Sequence, residues 1–231
     1  MSKKYTCVVI DPPYFFGDSL KMSDVKRGAQ ANYGTMSISD IKQLPVKDLC
    51  DPSGAVLCLW VPSSLLKEGI EIMEAYGFTL KQTYIWNKTI KDPFKVFKSI
   101  YKHFKKIGWH WTISGTLVKK CLDNFSLQNI LSFGMGRLFR NCHEICLIGT
   151  NNNKIYKKLQ NRSQRSVSFS PNLGHSTKPE HLQDSLELMF PGQNYLEIFG
   201  RRLRNNWDVI GNESATTMGQ DIRVSLNKLL E

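Results

Sequence analysis

Short apolar segments that alternate with helical patterns are the feature of this sequence that most restricts its fold. Five apolar runs are bounded by turn residues, at 5–10, 55–61, 82–86, 144–149 and 195–199. Each run is almost continuously hydrophobic, which is typical of strands that are covered on both faces. Helical patterns lie between them at 39–49, capped by Ser39, and at 64–76 and 178–190. The alternation predicts an α/β sandwich with a mainly parallel sheet and helices on both faces.

The length of the chain limits how these elements can be organised. Its 231 residues are enough for one sizeable hydrophobic core with a small attached module, but not for two full domains. We therefore expect a single domain over residues 1–213, a basic and aromatic insert at 88–133, and a tail at 214–231 that forms a short helix. We expect the polar residues 150–175 to form a long loop, and loops of that length are usually functional or mobile.

An excess of basic residues indicates an anionic partner. The chain has 31 Lys and Arg against 20 Asp and Glu, a net charge of +11, and nucleic acid is the commonest partner for such a surplus. The longest clean apolar run, 55–61, is far shorter than the roughly 20 residues of a membrane helix, and residues 1–4 lead into a strand without a signal-like apolar region. We expect a cytoplasmic protein with no membrane partner, in the host cytoplasm if the source is a phage or a mobile element.

Basic and aromatic residues share one stretch of the predicted insert. Residues 88–120 contain nine lysines and a single acid, Asp92, with six large aromatic residues among them. Lysines attract phosphates whatever the base sequence, and aromatic faces can stack on unpaired bases. Lys88, Lys105 and Lys106 are the predicted substrate contacts. The alternative is an amphipathic helix whose aromatic residues pack inward while its lysines are solvated, and both interpretations can hold together.

The six cysteines are expected to be packing residues. They are scattered without a CxxC pair, and several lie in apolar runs, where a thiol behaves as a small hydrophobic group. They are Cys7, Cys50, Cys58, Cys121, Cys142 and Cys146. The spacing of Cys142, His143 and Cys146 could supply metal ligands, but no second cluster accompanies them at zinc spacing, so we expect no metal site.

An acidic turn directly follows the first predicted strand. In Asp11-Pro12-Pro13-Tyr14 each proline fixes its own φ angle and lacks an N–H, so the turn is stiff and exposes carbonyl oxygens. A carboxylate and a carbonyl that accept both hydrogens of an exocyclic amine would free the nitrogen lone pair, and an aromatic ring would hold the base flat. An ordinary Asp-Pro turn also explains the prolines, but not the aromatic residue. The tetrapeptide alone leaves both interpretations open.

The tetrapeptide resembles the D-P-P-[YW] motif of amino-methyltransferases that use S-adenosylmethionine. Seven further blocks recur in the same order in the branch of that family that contains the eukaryotic messenger-RNA adenosine methyltransferases and their bacterial and phage DNA relatives. The blocks are YGTMS at 33–37, LWV at 59–61, IWNK at 85–88, NCHE at 141–144, HSTKP at 175–179, EIFGR at 197–201 and WDVIGNE at 207–213. The resemblance covers nearly all of residues 5–213.

The resemblance implies a Rossmann-like class I methyltransferase sheet in permuted order, with the catalytic motif near the amino terminus and the cofactor loop near the carboxyl terminus. The implied catalytic turn is Asp11, Pro12, Pro13 and Tyr14. Tyr14 and Tyr33 would line the pocket for the base. The residues implied to contact S-adenosylmethionine are Asp11, Lys178, Glu197, Phe199, Gly200, Arg201, Asn212 and Glu213.

The implied reaction is transfer of a methyl group to the N6 amine of adenine in DNA, after the base has flipped out of the duplex. Tyr14 stands where the messenger-RNA enzymes have tryptophan, which favours DNA. The same reaction on RNA is the alternative, and a non-catalytic nucleic-acid-binding subunit is a weaker one. Enzymes of this family often pair, so a homodimer or a heterodimer is expected.

Overall fold

A computed structural model gives the structure of the chain. It describes residues 2–15, 34–93, 130–132, 134, 138–172 and 177–231, together with the single positions 95, 98, 102 and 106. Tyr33, Lys105 and Cys121, which the sequence analysis singled out, lie outside the described residues.

The described residues form seven strands, five of which correspond to the predicted ones with ends that differ by up to three residues. The strands are β1 (Cys7–Ile10), β2 (Val56–Val61), β3 (Thr79–Thr89), β4 (His143–Thr150), β5 (Val167–Pro171), β6 (Tyr195–Ile198) and β7 (Trp207–Ile210). The sequence analysis did not predict β5 and β7. It predicted a loop over 150–175, and this was wrong in part, because a 3₁₀ helix (Asn153–Lys157) and β5 lie within that range.

The predicted helices are present, with two corrections. The helices in the described residues are α1 (Ile38–Lys42), α2 (Val46–Leu49), α3 (Leu66–Ala75), α4 (His181–Met189) and α5 (Ile222–Leu230), with a 3₁₀ turn at Ser63–Leu65. The single helix predicted over 39–49 is two helices, because Pro45 lacks the N–H that a continuous helix needs. Ser37, not Ser39, caps α1 by accepting a hydrogen bond from the Asp40 amide at 3.1 Å.

The strands form a seven-stranded sheet in the order β5-β3-β4-β2-β1-β6-β7. Strand β1 pairs in parallel with β2 on one side and β6 on the other, and β6 pairs in parallel with β7. Strands β3 and β5 are also parallel, whereas β2 and β4 are antiparallel. The sheet is therefore mixed but mainly parallel in these pairs, which confirms the predicted α/β class. The carboxyl ends of β1, β6 and β7 lie at one edge, where ligands bind in folds of this kind.

The chain divides into two compact units. The first comprises Met1–Tyr84, Ile145–Ser166 and His181–Glu231, and the second comprises Ile85–Glu144 and Val167–Glu180. Most of residues 88–133 lie outside the described residues, so the insert stays a prediction. The predicted helix in the tail is confirmed as α5. In the described part of the chain, no helix combines the length and apolar character needed to cross a membrane.

The core of the first unit lies around β1 and β2. All four residues of β1 are at most 1% exposed, as expected for a strand covered on both faces. Helix α3 packs closely on β2 at Gly69, where an added Cβ would lie 2.7 Å from Val61 Cγ2 and 3.1 Å from Leu147 Cδ1. Glycine at this helix position is therefore a packing requirement, which outweighs its low helix propensity.

We expect Gly69→Ala to lower the free energy of unfolding by about 1–2 kcal/mol, because the cost of overpacking against Val61 exceeds the gain in helix propensity. Urea denaturation followed by circular dichroism measures the change. Glu74→Ala is the matched control, since Glu74 lies on the same helix and is exposed. A Gly69→Ala protein at least as stable as wild type would contradict the close packing of α3 on β2.

Candidate active site

The acidic turn begins where the central strand ends. The Asp11 amide donates a hydrogen bond to the Ile198 carbonyl at 3.4 Å, which continues the β1–β6 pairing one residue beyond Ile10. After the two prolines, the chain is fixed against the segment that precedes α1. Met36 N donates to the Pro13 carbonyl at 2.8 Å, and Phe15 N donates to the Met36 carbonyl at 3.0 Å. The turn that carries Asp11 is therefore held from both sides.

Tyr14 anchors this turn to β2. Its ring is 3% exposed, and its hydroxyl donates a hydrogen bond to the Trp60 carbonyl at 3.0 Å. Burial, together with the negative charge of Asp11, raises the pKa of Tyr14 well above its ordinary value, so the phenol remains a donor. Stacking of a base on Tyr14 needs an accessible ring face. The observed role of Tyr14 is to anchor the turn, and its contact with a base stays a prediction.

The turn after β6 contains Phe199, whose backbone is strained, and Gly200, where the surrounding atoms leave no room for a Cβ. Phe199 has a φ of +65°, in the left-handed region that non-glycine residues seldom occupy. The Gly200 amide donates to the Ile210 carbonyl at 3.0 Å. A Cβ at Gly211 would lie 2.4 Å from the Gly200 carbonyl oxygen, so the turns after β6 and β7 approach each other closely. Backbone strain of this kind is concentrated at ligand-binding sites.

Charged side chains surround these two turns. Arg201 Nε lies 2.9 Å from Glu213 Oε2. Gln183 Nε2 donates to Glu197 Oε2 at 3.2 Å, while the Oε1 atom of Gln183 is buried and has no hydrogen-bond partner among the described residues. Asn212, which follows Gly211, is exposed. Seven of the eight residues implied to contact a cofactor therefore lie in the first unit, beside the carboxyl ends of β1, β6 and β7.

The chemistry of these groups fits S-adenosylmethionine. The carboxylates of Glu197 and Glu213 can accept hydrogen bonds from ribose hydroxyls or an ammonium group, and the Arg201 guanidinium matches a carboxylate. The unpartnered oxygen of Gln183 is a further acceptor, and buried polar atoms normally have a partner. Among the described residues no three His, Cys, Asp or Glu side chains are grouped so that they could hold a metal ion.

The second unit holds a cluster of one carboxylate and two lysines. Glu144 Oε1 lies 2.5 Å from Lys88 Nζ, and Glu144 Oε2 lies 3.0 Å from Lys178 Nζ. Lys88 Nζ also lies 5.1 Å from the centre of the Trp86 ring. Both lysines therefore have an internal carboxylate as a partner. Burial alone would raise the pKa of Glu144, but Lys178 and Lys88 together outweigh it, so the pKa lies below its ordinary range.

Sequence reasoning gave Glu144 no role, although it is the last residue of the NCHE block. The signal that could have identified Glu144 is an acid near the start of a strand, within a block shared with a known family. The other predicted lysine that is described, Lys106, is an exposed helical position. Of the cysteines, Cys7, Cys50, Cys58 and Cys146 are buried, which confirms them as packing residues, and Cys142 is half-buried.

We expect Glu144→Gln to destabilise the second unit by about 1–3 kcal/mol at neutral pH, because it removes the charge between two lysines from a largely buried position. Since the pKa of Glu144 is lowered in the folded protein, its stabilisation is present above the unfolded-state value of about 4.3 and is lost as the pH falls through the folded value. Urea denaturation at several pH values between about 3 and 7 measures the difference from wild type.

The control is Glu71→Gln, which breaks the more exposed pair with Lys42 at 2.7 Å. We expect a smaller effect from this variant, because exposed ion pairs are screened by water and salt. A Glu144→Gln effect that did not shrink towards low pH would show that Glu144 contributes through its shape and not through its charge.

Known proteins resemble this chain over nearly its whole length. It matches the MT-A70 family over residues 5–116 and 117–213. The N(6)-adenosine-methyltransferase MT-A70-like protein of Drosophila melanogaster is 24% identical over 91% of this chain and 27% of its own length. The human N(6)-adenosine-methyltransferase catalytic subunit METTL3 is 22% identical over 91% of this chain and 28% of its own length.

A bacterial relative has a length closer to that of this chain. The type II methyltransferase M.MunI of a Mycoplasma species is 22% identical over 91% of this chain and 78% of its own length. The chain thus spans little more than a quarter of the two animal proteins and most of the bacterial one. Methyltransferases of this family generally depend on S-adenosylmethionine. The resemblance found in the sequence is confirmed, and the chain belongs to the MT-A70 family of N6-adenine methyltransferases.

Proposed function

We propose that this chain methylates the N6 amine of adenine in DNA and uses S-adenosylmethionine as the methyl donor. The observation that carries the proposal is the position of Asp11. It follows the central parallel strand directly, and its backbone is hydrogen-bonded to the end of β6, one residue before the strained turn at Phe199. A carboxylate and a candidate cofactor turn therefore leave the sheet side by side.

The acidic turn has the acceptors that an adenine amine needs. The amine has two N–H donors, and the Asp11 carboxylate would accept one of them. A proline carbonyl would accept the other. The Pro12 and Pro13 carbonyls each accept one internal hydrogen bond, from Tyr14 N and Met36 N, and a carbonyl oxygen has a second lone pair. With both hydrogens held, the nitrogen lone pair is directed out of the ring plane towards the methyl group.

The residues around the turns after β6 and β7 would hold the cofactor. Glu197 and Glu213 would accept hydrogen bonds from its hydroxyl or ammonium groups, and Arg201 would bind its carboxylate. The bound cofactor supplies an electrophilic methyl group on a sulfonium. Lys178 lies in the second unit, and its contact with the cofactor stays a prediction. The rigid turn at Asp11 contributes to the rate mainly by alignment, since fixing two reactants in a near-attack geometry can lower the barrier by about 7–11 kcal/mol.

DNA is the proposed polymer because Tyr14, and not tryptophan, follows the two prolines. The net charge of +11 supports a nucleic-acid substrate of either kind. METTL3 is named as a catalytic subunit of an N(6)-adenosine-methyltransferase, so RNA adenosine is the competing substrate. A homodimer or a heterodimer is part of the proposal, since the name of that relative implies an assembly.

We expect Asp11→Asn and Asp11→Ala to reduce methylation at least about 100-fold, because each removes a charged acceptor that is aimed at the reacting amine. The assay is transfer of a labelled methyl group from the cofactor to matched DNA and RNA oligonucleotides that differ in the 2′-hydroxyl and in thymine against uracil. Asp48→Asn is the control, since Asp48 is an exposed carboxylate on α2. Circular dichroism of each variant checks that it folds.

Three outcomes distinguish the proposed mechanism, the polymer and the non-catalytic alternative. A folded Asp11→Ala protein that methylates at the wild-type rate would remove the proposed mechanism. If the wild-type protein methylates only the RNA oligonucleotide, the substrate is RNA and not DNA. If calorimetry detects no cofactor binding by the wild-type protein, the chain is a non-catalytic subunit.

A further inference from the structure

A run of exposed basic residues lies in the segment that connects β4 to β5. Lys154, Lys157, Arg162 and Arg165 are all exposed, and we call these four residues the basic strip. The sequence contains no Asp or Glu from residue 145 to residue 179. Within the described part of the chain, none of the four forms an ion pair. The neighbouring Lys158 differs, because its Nζ lies 2.6 Å from Asp51 Oδ2.

The segment is held in place by buried and hydrogen-bonded groups. Asn152 caps the 3₁₀ helix by accepting from the Lys154 amide at 2.9 Å. Ile155 is fully buried, with its backbone packed so closely on Gly54 that an added Cβ there would lie 2.6 Å from the Ile155 nitrogen. Further along, the Gln160 amide donates to the Met189 carbonyl at 2.8 Å. The basic strip is therefore part of the folded first unit.

The spacing of the lysines suits a row of phosphates. Side chains three residues apart on a 3₁₀ helix are on the same face, with a rise of about 6 Å between them, so Lys154 and Lys157 point the same way. Tyr156, which lies between them in sequence, is 45% exposed. Each strand of a duplex carries one phosphate per ~3.4 Å of helix axis, so two long flexible side chains at this spacing can reach separate phosphates.

Lys154 and Lys157, which begin the basic strip, directly follow β4 and lie at the edge of the sheet opposite to the candidate active site. Strand β4 runs antiparallel to β2, and its last residue, Thr150, pairs with Val56 at the start of β2. Asp11, in contrast, follows the carboxyl end of β1. The length of β2 separates the two edges by roughly 20 Å. The two lysines of the strip are therefore distinct from the catalytic turn.

We propose that the basic strip binds the phosphate backbone of nucleic acid at a distance from the target base. This inference rests on the proposed function, which supplies the polymer class. The strip holds, by charge alone, a stretch of a long nucleic acid that is remote from the target base, or a neighbouring segment of the same nucleic acid. It therefore adds affinity and salt dependence without adding base specificity. Short substrates that occupy only the catalytic edge do not use it.

The test compares the K154Q/K157Q/R162Q/R165Q variant with a control that loses the same charge elsewhere. The control is K47Q/K67Q/K81Q/K228Q, whose four lysines are exposed and lie outside the strip. Equilibrium binding to a duplex of about 60 base pairs, measured over a range of salt concentrations, gives the slope of log K against log salt. Methylation of a duplex of about 12 base pairs checks the active site, and circular dichroism checks folding.

We expect the strip variant to lower the magnitude of the slope by about 3–4 on the long duplex, since each lost phosphate contact removes ~0.9. The control variant lowers it by less than 1, and kcat on the short duplex stays within twofold of wild type for both. A strip variant with the wild-type slope, or with no larger loss than the control, would overturn the inference. So would binding of the strip to acidic peptides or anionic vesicles but not to DNA or RNA.

Failure of the strip can be distinguished from failure of the proposed function. If the slope falls as expected but neither wild type nor any variant methylates a substrate, the proposal for the basic strip is supported and the catalytic proposal is wrong. If wild type methylates the short duplex and the strip variant keeps the wild-type slope, only the proposal for the basic strip is wrong. If wild type binds neither DNA nor RNA at any salt concentration, both proposals fail.

Discussion

The fold depends on the parallel pairing of β1 with strands on both of its sides. Because β2 and β6 occupy both hydrogen-bonding edges of β1, and because both of its faces are buried, the chain can leave the sheet only at the strand end. It does so at Asp11. The same pairing places the end of β6 beside this turn and brings Phe199, Gly200 and Arg201 to the same edge. The proposed chemistry therefore follows from sheet topology and not from a mobile loop.

Charge is distributed differently at the two edges of the sheet in the first unit. Near the turns after β6 and β7, Arg201 is paired with Glu213. Each of these two side chains can exchange its internal partner for a group of a ligand. The segment after β4, which begins at the opposite edge, has no acid in its sequence and exposes four cations. Paired charges suit a small polar cofactor of mixed sign, whereas unopposed cations suit a polyanion. The two arrangements of charge therefore fit two different kinds of ligand.

Strands β1 and β2 could be predicted from the sequence because buried parallel strands are continuous apolar runs. Strand β5 could not, since its Val-Ser-Phe-Ser-Pro sequence becomes a strand only by pairing with the distant β3. The family blocks identified the catalytic turn, but no sequence pattern shows that the Tyr14 hydroxyl bonds to the Trp60 carbonyl and buries the ring. The link between Glu144 and two lysines is likewise a tertiary contact between residues far apart in the chain.

The most direct test of the central claim is a crystal structure of the protein with S-adenosylhomocysteine, the product form of the donor, and adenosine. We expect the donor to lie against the turns after β6 and β7, with its sulfur facing the Asp11 carboxylate across a gap that holds the adenine amine. A donor bound at another edge of the sheet, or one separated from Asp11 by protein atoms that leave no space for a base, would contradict it.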